Sequence, residues 1–175
     1  MKISKGFTEL KPSAYSASAQ EPVLDFHQAP ADKSNMARYL FGGFQRCLYP
    51  AQKFQSDAER KLAIIIDREA QKWFKPAKGQ FQIFYKSGID HLEYQPDFVA
   101  ETEERIFMLE SKARNEMEAA DVLAKKEAAV KWCSHATAYA QENNGKPWSY
   151  LLIPHDAIAE NMSIKAFAQK FAVSS

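Results

Sequence analysis

Two short apolar runs, each interrupted by one acidic residue at a fixed distance from the other, constrain this chain more than anything else in it. Pro96-Asp97 is followed thirteen residues later by Glu110-Ser111-Lys112. The stretches from His91 to Ala100 and from Ile106 to Lys112 read as adjacent strands. If Asp97 lies opposite Glu110, then Glu101 lies opposite Ile106, and Thr102-Glu103-Glu104-Arg105 is left as a four-residue hairpin loop, a common length. Opposed residues in an antiparallel pair share a face, with Cα atoms roughly 4.5–5.5 Å apart. Lys112 shares that face by the period of two. The register therefore predicts three charges converging among residues (Phe98, Val99, Phe107, Met108, Leu109) typical of buried strands.

Two carboxylates buried side by side are costly unless something cationic lies between them. Mg²⁺, or Mn²⁺ in its place, would meet that need, because a hard cation is held by one or two carboxylates, water and substrate phosphate. Asp97 and Glu110 are therefore the candidate metal ligands. Lys112 could orient or help deprotonate an attacking water, and the metal would act as Lewis acid and activator of the nucleophile, as in a phosphodiesterase. The competing account is a strand-end aspartate and a cross-strand Glu–Lys ion pair. Apolar flanks on both pleat faces favour the site, because buried charges mark functional positions more often than not.

The other elements follow from pattern. Residues 1–53 read as an irregular N-terminal arm, broken by Pro12, Pro22 and Pro30. They hold one short helical stretch, Asp32 to Leu40, and aromatics (Tyr39, Phe41, Phe44, Tyr49) that call for a packing partner. Residues 54–175 read as the folded domain. Ser56-x-x-Glu59 has the form of a capping box, and Leu62, Ile65, Ile66 and Trp73 recur at helical spacing up to Pro76. Residues 81–85 read as a strand, 121–140 as a helix ended at Gly145, 148–153 as a buried strand and 162–171 as a closing helix. The order α-β-β-β-α-β-α predicts an α/β (α+β) domain with a mixed four-stranded sheet flanked by helices.

Composition removes several alternatives. A net charge of +1 supplies no global basic field, so any DNA contact relies on a local patch. Lys72, Lys75, Lys78 and Lys86 are candidates for one, with a solvated face as the blander account. Two cysteines, Cys47 and Cys133, give no disulfide framework, and no apolar run approaches a membrane span, which together point to the cytoplasm and no membrane partner. The four histidines lack zinc-ligand spacing with one another. Without a G-x-x-x-x-G-K-[ST] phosphate loop, ATP hydrolysis is not expected of this chain.

The spacing Pro96-Asp97…Glu110-Ser111-Lys112 resembles that of the PD-(D/E)xK nuclease superfamily. Tyr94-Gln95-Pro96-Asp97-Phe98-Val99 is similar to the "Y-x-PDF" strand near the C-terminal end of type III restriction enzyme Res subunits and related DEAD/DEAH-box proteins. Residues 124–133 are similar to the helix that follows it there, and Trp148 to Pro154 to the next strand. The resemblance implies a restriction-endonuclease-like core and a Mg²⁺-dependent DNA endonuclease controlled by a helicase or translocase module and a methylase subunit. It implies further that Ser111 offers its main-chain carbonyl to the metal, although serine departs from the usual apolar residue, with its side chain on the opposite face.

It also implies that Glu59 helps hold the metal. A pure capping role for Glu59, or Glu69 in its place, are the rivals. Lys125, matched by "A-K-x-x-A" and lying on the apolar stripe of the second helix, would act in the site or snorkel to water. A domain of another class, which docks DNA or an assembly without cutting, would show the same fold with a silent site.

Overall fold

The computed structural model describes residues 22–173. The break expected at Pro12 lies outside the described residues. The described residues form a mixed α/β fold with three helices and a four-stranded mixed sheet. In chain order the elements are β1 (Val23–Asp25), β2 (Leu40–Gly42), α1 (Asp57–Glu69), β3 (Lys72–Phe74), β4 (Ile83–Ser87), β5 (Asp90–Tyr94), β6 (Phe98–Glu101), β7 (Ile106–Lys112), α2 (Ala120–Glu142), β8 (Trp148–Pro154) and α3 (Ile164–Phe171). Single 3-10 turns at Met36–Arg38, Arg114–Glu116 and His155–Ala157 join them.

The expected hairpin register is present. Glu101 pairs with Ile106 and Phe98 with Leu109 in antiparallel β6 and β7. The intervening loop closes through the Thr102 amide on the Arg105 carbonyl at 2.9 Å. β8 then lies parallel to β7 along its whole length, from Ile106↔Trp148 to Lys112↔Pro154, with α2 as the crossover. Parallel pairing requires such a connection, and β8 is buried at six of its seven positions, as a strand covered on both faces should be.

Two strand assignments differ from the sequence expectation. The fourth strand of the sheet is β3, antiparallel to β6, and not the run at 81–85. Trp73, which matches the helical stripe of α1, belongs to β3 because the helix ends at Ala70. The Asp67 carboxylate then accepts the Trp73 indole N–H at 2.8 Å and the amides of Gln45 and Arg46, fixing the turn. Pro76 disfavours helical geometry at Lys75 and helps keep this stretch extended. The single strand expected from His91 to Ala100 is two strands. β5 pairs with β4 in a separate hairpin, and Gln95-Pro96-Asp97 breaks the run before β6. A proline inside a ladder cannot donate, which is why the break falls there.

The sheet divides the core. One side packs α1 and α3 against it through Leu62, Ile65, Ile66, Phe98, Leu109, Leu151 and Phe167, all essentially inaccessible. The other side packs α2 and the β4–β5 hairpin through Ile83, Val99, Met108, Ala129, Cys133 and Tyr150. Residues 22–46 join the first side, and Tyr49 joins the second. β1 and β2 pair in parallel, and Phe26, Met36 and Phe41 are buried with Phe54 of the following segment. The aromatics that call for a partner find it in the core. The Asp32 to Leu40 stretch is helical only at the Met36–Arg38 turn. At the end of α2 it is Asn144, not Gly145, that takes the left-handed conformation (φ 54°), while the Gly145 amide bonds the Ala140 carbonyl at 2.8 Å.

Candidate active site

The β6–β7 ladder stops one residue short of Asp97, which lies in a bend where β5 hands over to β6. Released from the ladder, its carboxylate turns to the β7 backbone. Asp97 Oδ2 accepts the Ser111 amide at 2.8 Å and the Ser111 hydroxyl at 3.2 Å. The Ser111 side chain, expected to point away, thus reaches round to the aspartate. Glu110 is 5% exposed, and its Oε2 accepts the Tyr94 hydroxyl at 2.7 Å. Lys112 Nζ lies 3.4 Å from Glu110 Oε1 with about a third of its side chain open to water. Asp97, Glu110, Ser111 and Lys112 therefore meet at one end of the hairpin, with Asp97 just outside the ladder and joined to Ser111 instead of paired with Glu110.

Glu59 joins them from α1. Ser56 caps the helix by accepting the Glu59 amide at 3.1 Å, so the capping reading holds for the backbone. The Glu59 carboxylate does not return to the Ser56 amide. Its Oε2 accepts the Gln55 amide at 3.0 Å and the Lys75 ammonium at 2.8 Å. Glu69 is elsewhere: it accepts the Ile164 amide at 2.8 Å and links α1 to the start of α3.

The electrostatics show that these groups act as one cluster. Burial, then the charges of Glu110 and Glu59, push the Asp97 carboxyl well above the usual carboxylate range, with Lys75 and the Ser111 amide pulling it back. Burial also raises Glu110, against the Lys112 ammonium and the Tyr94 hydroxyl. Burial works against the charged form of Lys75, but Glu59, Asp97 and Glu110 outweigh it and raise its pKa. Lys112 is raised for the same reason by Glu110 and Asp97, against its own desolvation.

Two lysines stand differently from expectation. Lys75 is not part of an exposed basic face. Its side chain is 13% exposed and its ammonium also lies 3.3 Å from the Asp97 carbonyl oxygen. Lys125 reaches Asp121 at 3.5 Å and lies over the Tyr85 ring at 5.4 Å, at the contact between α2 and the β4–β5 hairpin. Lys72 pairs with the buried Glu101 at 3.4 Å, leaving Lys78 and Lys86 exposed.

Sequence reasoning missed Lys75 and Tyr94 as members of the site. The signal for Lys75 was the strand β3: its register with β6 continues from Phe74↔Val99 toward Phe98, the neighbour of Asp97.

Among the described residues no group of three His, Cys, Asp or Glu side chains is already arranged to hold a metal ion. No helix of the described residues is long and apolar enough to cross a membrane. Both cysteines are free, and burial raises each thiol to about 12. No protein-family model matches the chain, and no curated protein matches it.

Proposed function

We propose that this chain is a metal-dependent DNA endonuclease domain with a restriction-endonuclease-like core, hydrolysing phosphodiester bonds at Asp97, Glu110 and Lys112. One observation carries the reading. Two carboxylates and a lysine share the end of the β6–β7 hairpin, where burial and the charge of Glu110 raise the proton affinity of Asp97, and burial raises that of Glu110. Perturbed carboxylates gathered in proximity are characteristic of functional sites.

The donor set fits a hard divalent ion. Two carboxylates suffice for Mg²⁺, which keeps several waters and takes substrate phosphate as a further ligand. Asp97 and Glu110 would hold Mg²⁺ or Mn²⁺, with the Ser111 carbonyl and Glu59 as further oxygen donors. The bound ion supplies Lewis acidity and lowers the pKa of water. The chain's own residues do the rest. The Ser111 amide and hydroxyl fix the Asp97 carboxylate, and Tyr94 fixes Glu110. Lys112, the more open of the two cluster lysines, is available to a phosphate oxygen or to the attacking water. Water attack on phosphorus with departure of the 3′ oxygen leaves 5′-phosphate and 3′-hydroxyl ends. Control by a helicase or translocase module and a methylase subunit belongs to the same proposal.

A nicking assay on supercoiled plasmid with Mg²⁺ or Mn²⁺ tests it. Asp97→Ala and Lys112→Ala are each expected to lower the rate by about a hundredfold or more. Wild-type protein that binds DNA but does not cut it at high concentration refutes the reading, and cutting that survives both substitutions puts the site elsewhere.

One observation favours a second reading, a DNA-docking or assembly domain with a silent site. Lys75 and Lys112 already pair with two of the three carboxylates, Glu59 and Glu110. The same assay separates the two readings.

A further inference from the structure

We propose that Lys75 is a resident cation of the carboxylate cluster, holding Glu59 in the absence of metal and setting how weakly the site takes a divalent ion. The inference rests on the metal-site reading above and deepens it. Lys75 follows directly from β3, and its ammonium lies 2.8 Å from Glu59 Oε2 and 3.3 Å from the Asp97 carbonyl. The Phe98 ring lies 4.5 Å below it and the Phe54 ring 5.7 Å away. Both rings are fully buried. Cation–π attraction at a desolvated site adds to the ion pair. This lysine is enclosed by two aromatic faces and a carboxylate, and it has no open path by which to follow a phosphate backbone.

The cluster holds three carboxylates, Glu59, Asp97 and Glu110, and the charges of Glu110 and Glu59 act on Asp97 together with that of Lys75. In the absence of metal, two buried anions and a half-buried one with only Lys112 beside them would carry a large uncompensated charge, and such charges are expensive. Lys75 offsets one of them from inside the wall. The same position makes it an opponent of any divalent ion bound between Asp97 and Glu110. The ammonium repels the ion and keeps Glu59 paired away from it. Lys75 is thus a positioning residue: it keeps the ligands assembled and limits their affinity for a divalent ion.

The test is Mn²⁺ binding to the full chain, followed by the electron paramagnetic resonance of free Mn²⁺, for wild type, Lys75→Met, Lys75→Arg and Asp97→Asn. Removing one positive charge this close to the ion is expected to tighten Mn²⁺ binding about tenfold in Lys75→Met. Lys75→Arg, which keeps the charge, should stay close to wild type, and Asp97→Asn should lose binding.

Wild-type binding that Asp97→Asn abolishes, with Lys75→Met unchanged or weaker, overturns the role of Lys75 and leaves the metal site standing. Absence of binding in wild type and every variant overturns both. If Lys75→Met does not fold in EDTA, Lys75→Gln keeps a polar partner for Glu59 in its place. Refolding of either variant on addition of millimolar Mn²⁺ supports the proposal, and failure of both to refold overturns it.

Discussion

Asp97→Asn should make the metal-free protein more stable while removing its proposed activity. The structure supplies the reason. Asp97 and Glu110 approach across the end of a hairpin in which opposed Cα atoms lie about 5 Å apart, Glu110 buried and Asp97 half-buried. Two unit charges roughly 6 Å apart repel by about 3 kcal/mol at an effective dielectric of about 20. Lys112 beside Glu110 and Lys75 beside the Asp97 carbonyl return much of this, leaving a net cost on the order of 1 kcal/mol. Asparagine keeps the shape, and its oxygen can still accept the Ser111 amide. A gain of about 1 kcal/mol in a domain of this size raises Tm by about 2–4 °C.

The pH dependence follows from the sign of the shift. The folded-state pKa of Asp97 lies above its unfolded value. Its neutral form is therefore compatible with the fold at low pH, and wild type loses stability as pH rises through the folded pKa. The advantage of Asp97→Asn should be present at about pH 8 and vanish toward about pH 4, where the unfolded carboxyl also protonates. Thermal denaturation in EDTA across that range measures it. Added Mg²⁺ should then stabilise wild type and not the variant. An Asp97→Asn protein less stable than wild type at about pH 8, or a gain that does not change with pH, refutes the electrostatic reasoning.

Three further substitutions examine the neighbouring groups. Tyr94→Phe takes the hydroxyl donor from Glu110 and should cost about 1.5–3 kcal/mol above neutral pH in urea denaturation, because the lost bond is to a buried charge. Asp67→Ala strips the acceptor from the Trp73 indole and the Gln45 and Arg46 amides, and a loss of about 3 kcal/mol is expected in the same assay. Lys125→Met should leave plasmid nicking within about threefold of wild type, since its ammonium is engaged with Asp121 and the Tyr85 ring. A drop of about a hundredfold would instead assign Lys125 to the reaction.

What could be read from the sequence and what could not divide along a physical line. The β6–β7 register was legible because a four-residue loop over residues 102–105, a common hairpin length, sets Glu101 opposite Ile106. Glu110, Ser111 and Lys112 were then fixed relative to one another by the strand alone. β3 was not legible, because three residues are too few to show a period, and Trp73 matched the stripe of α1 by spacing. Its strand identity comes from Asp67, which turns the chain back through the indole and two amides, a contact across sequence that no local pattern reports. The same gap hid Lys75, which reads as one more surface lysine until β3 is set beside β6. The misplacement of β3 therefore had a chemical cost greater than one edge strand. It concealed the group that holds Glu59, and with it a cation that lies among the charges of Glu59, Asp97 and Glu110.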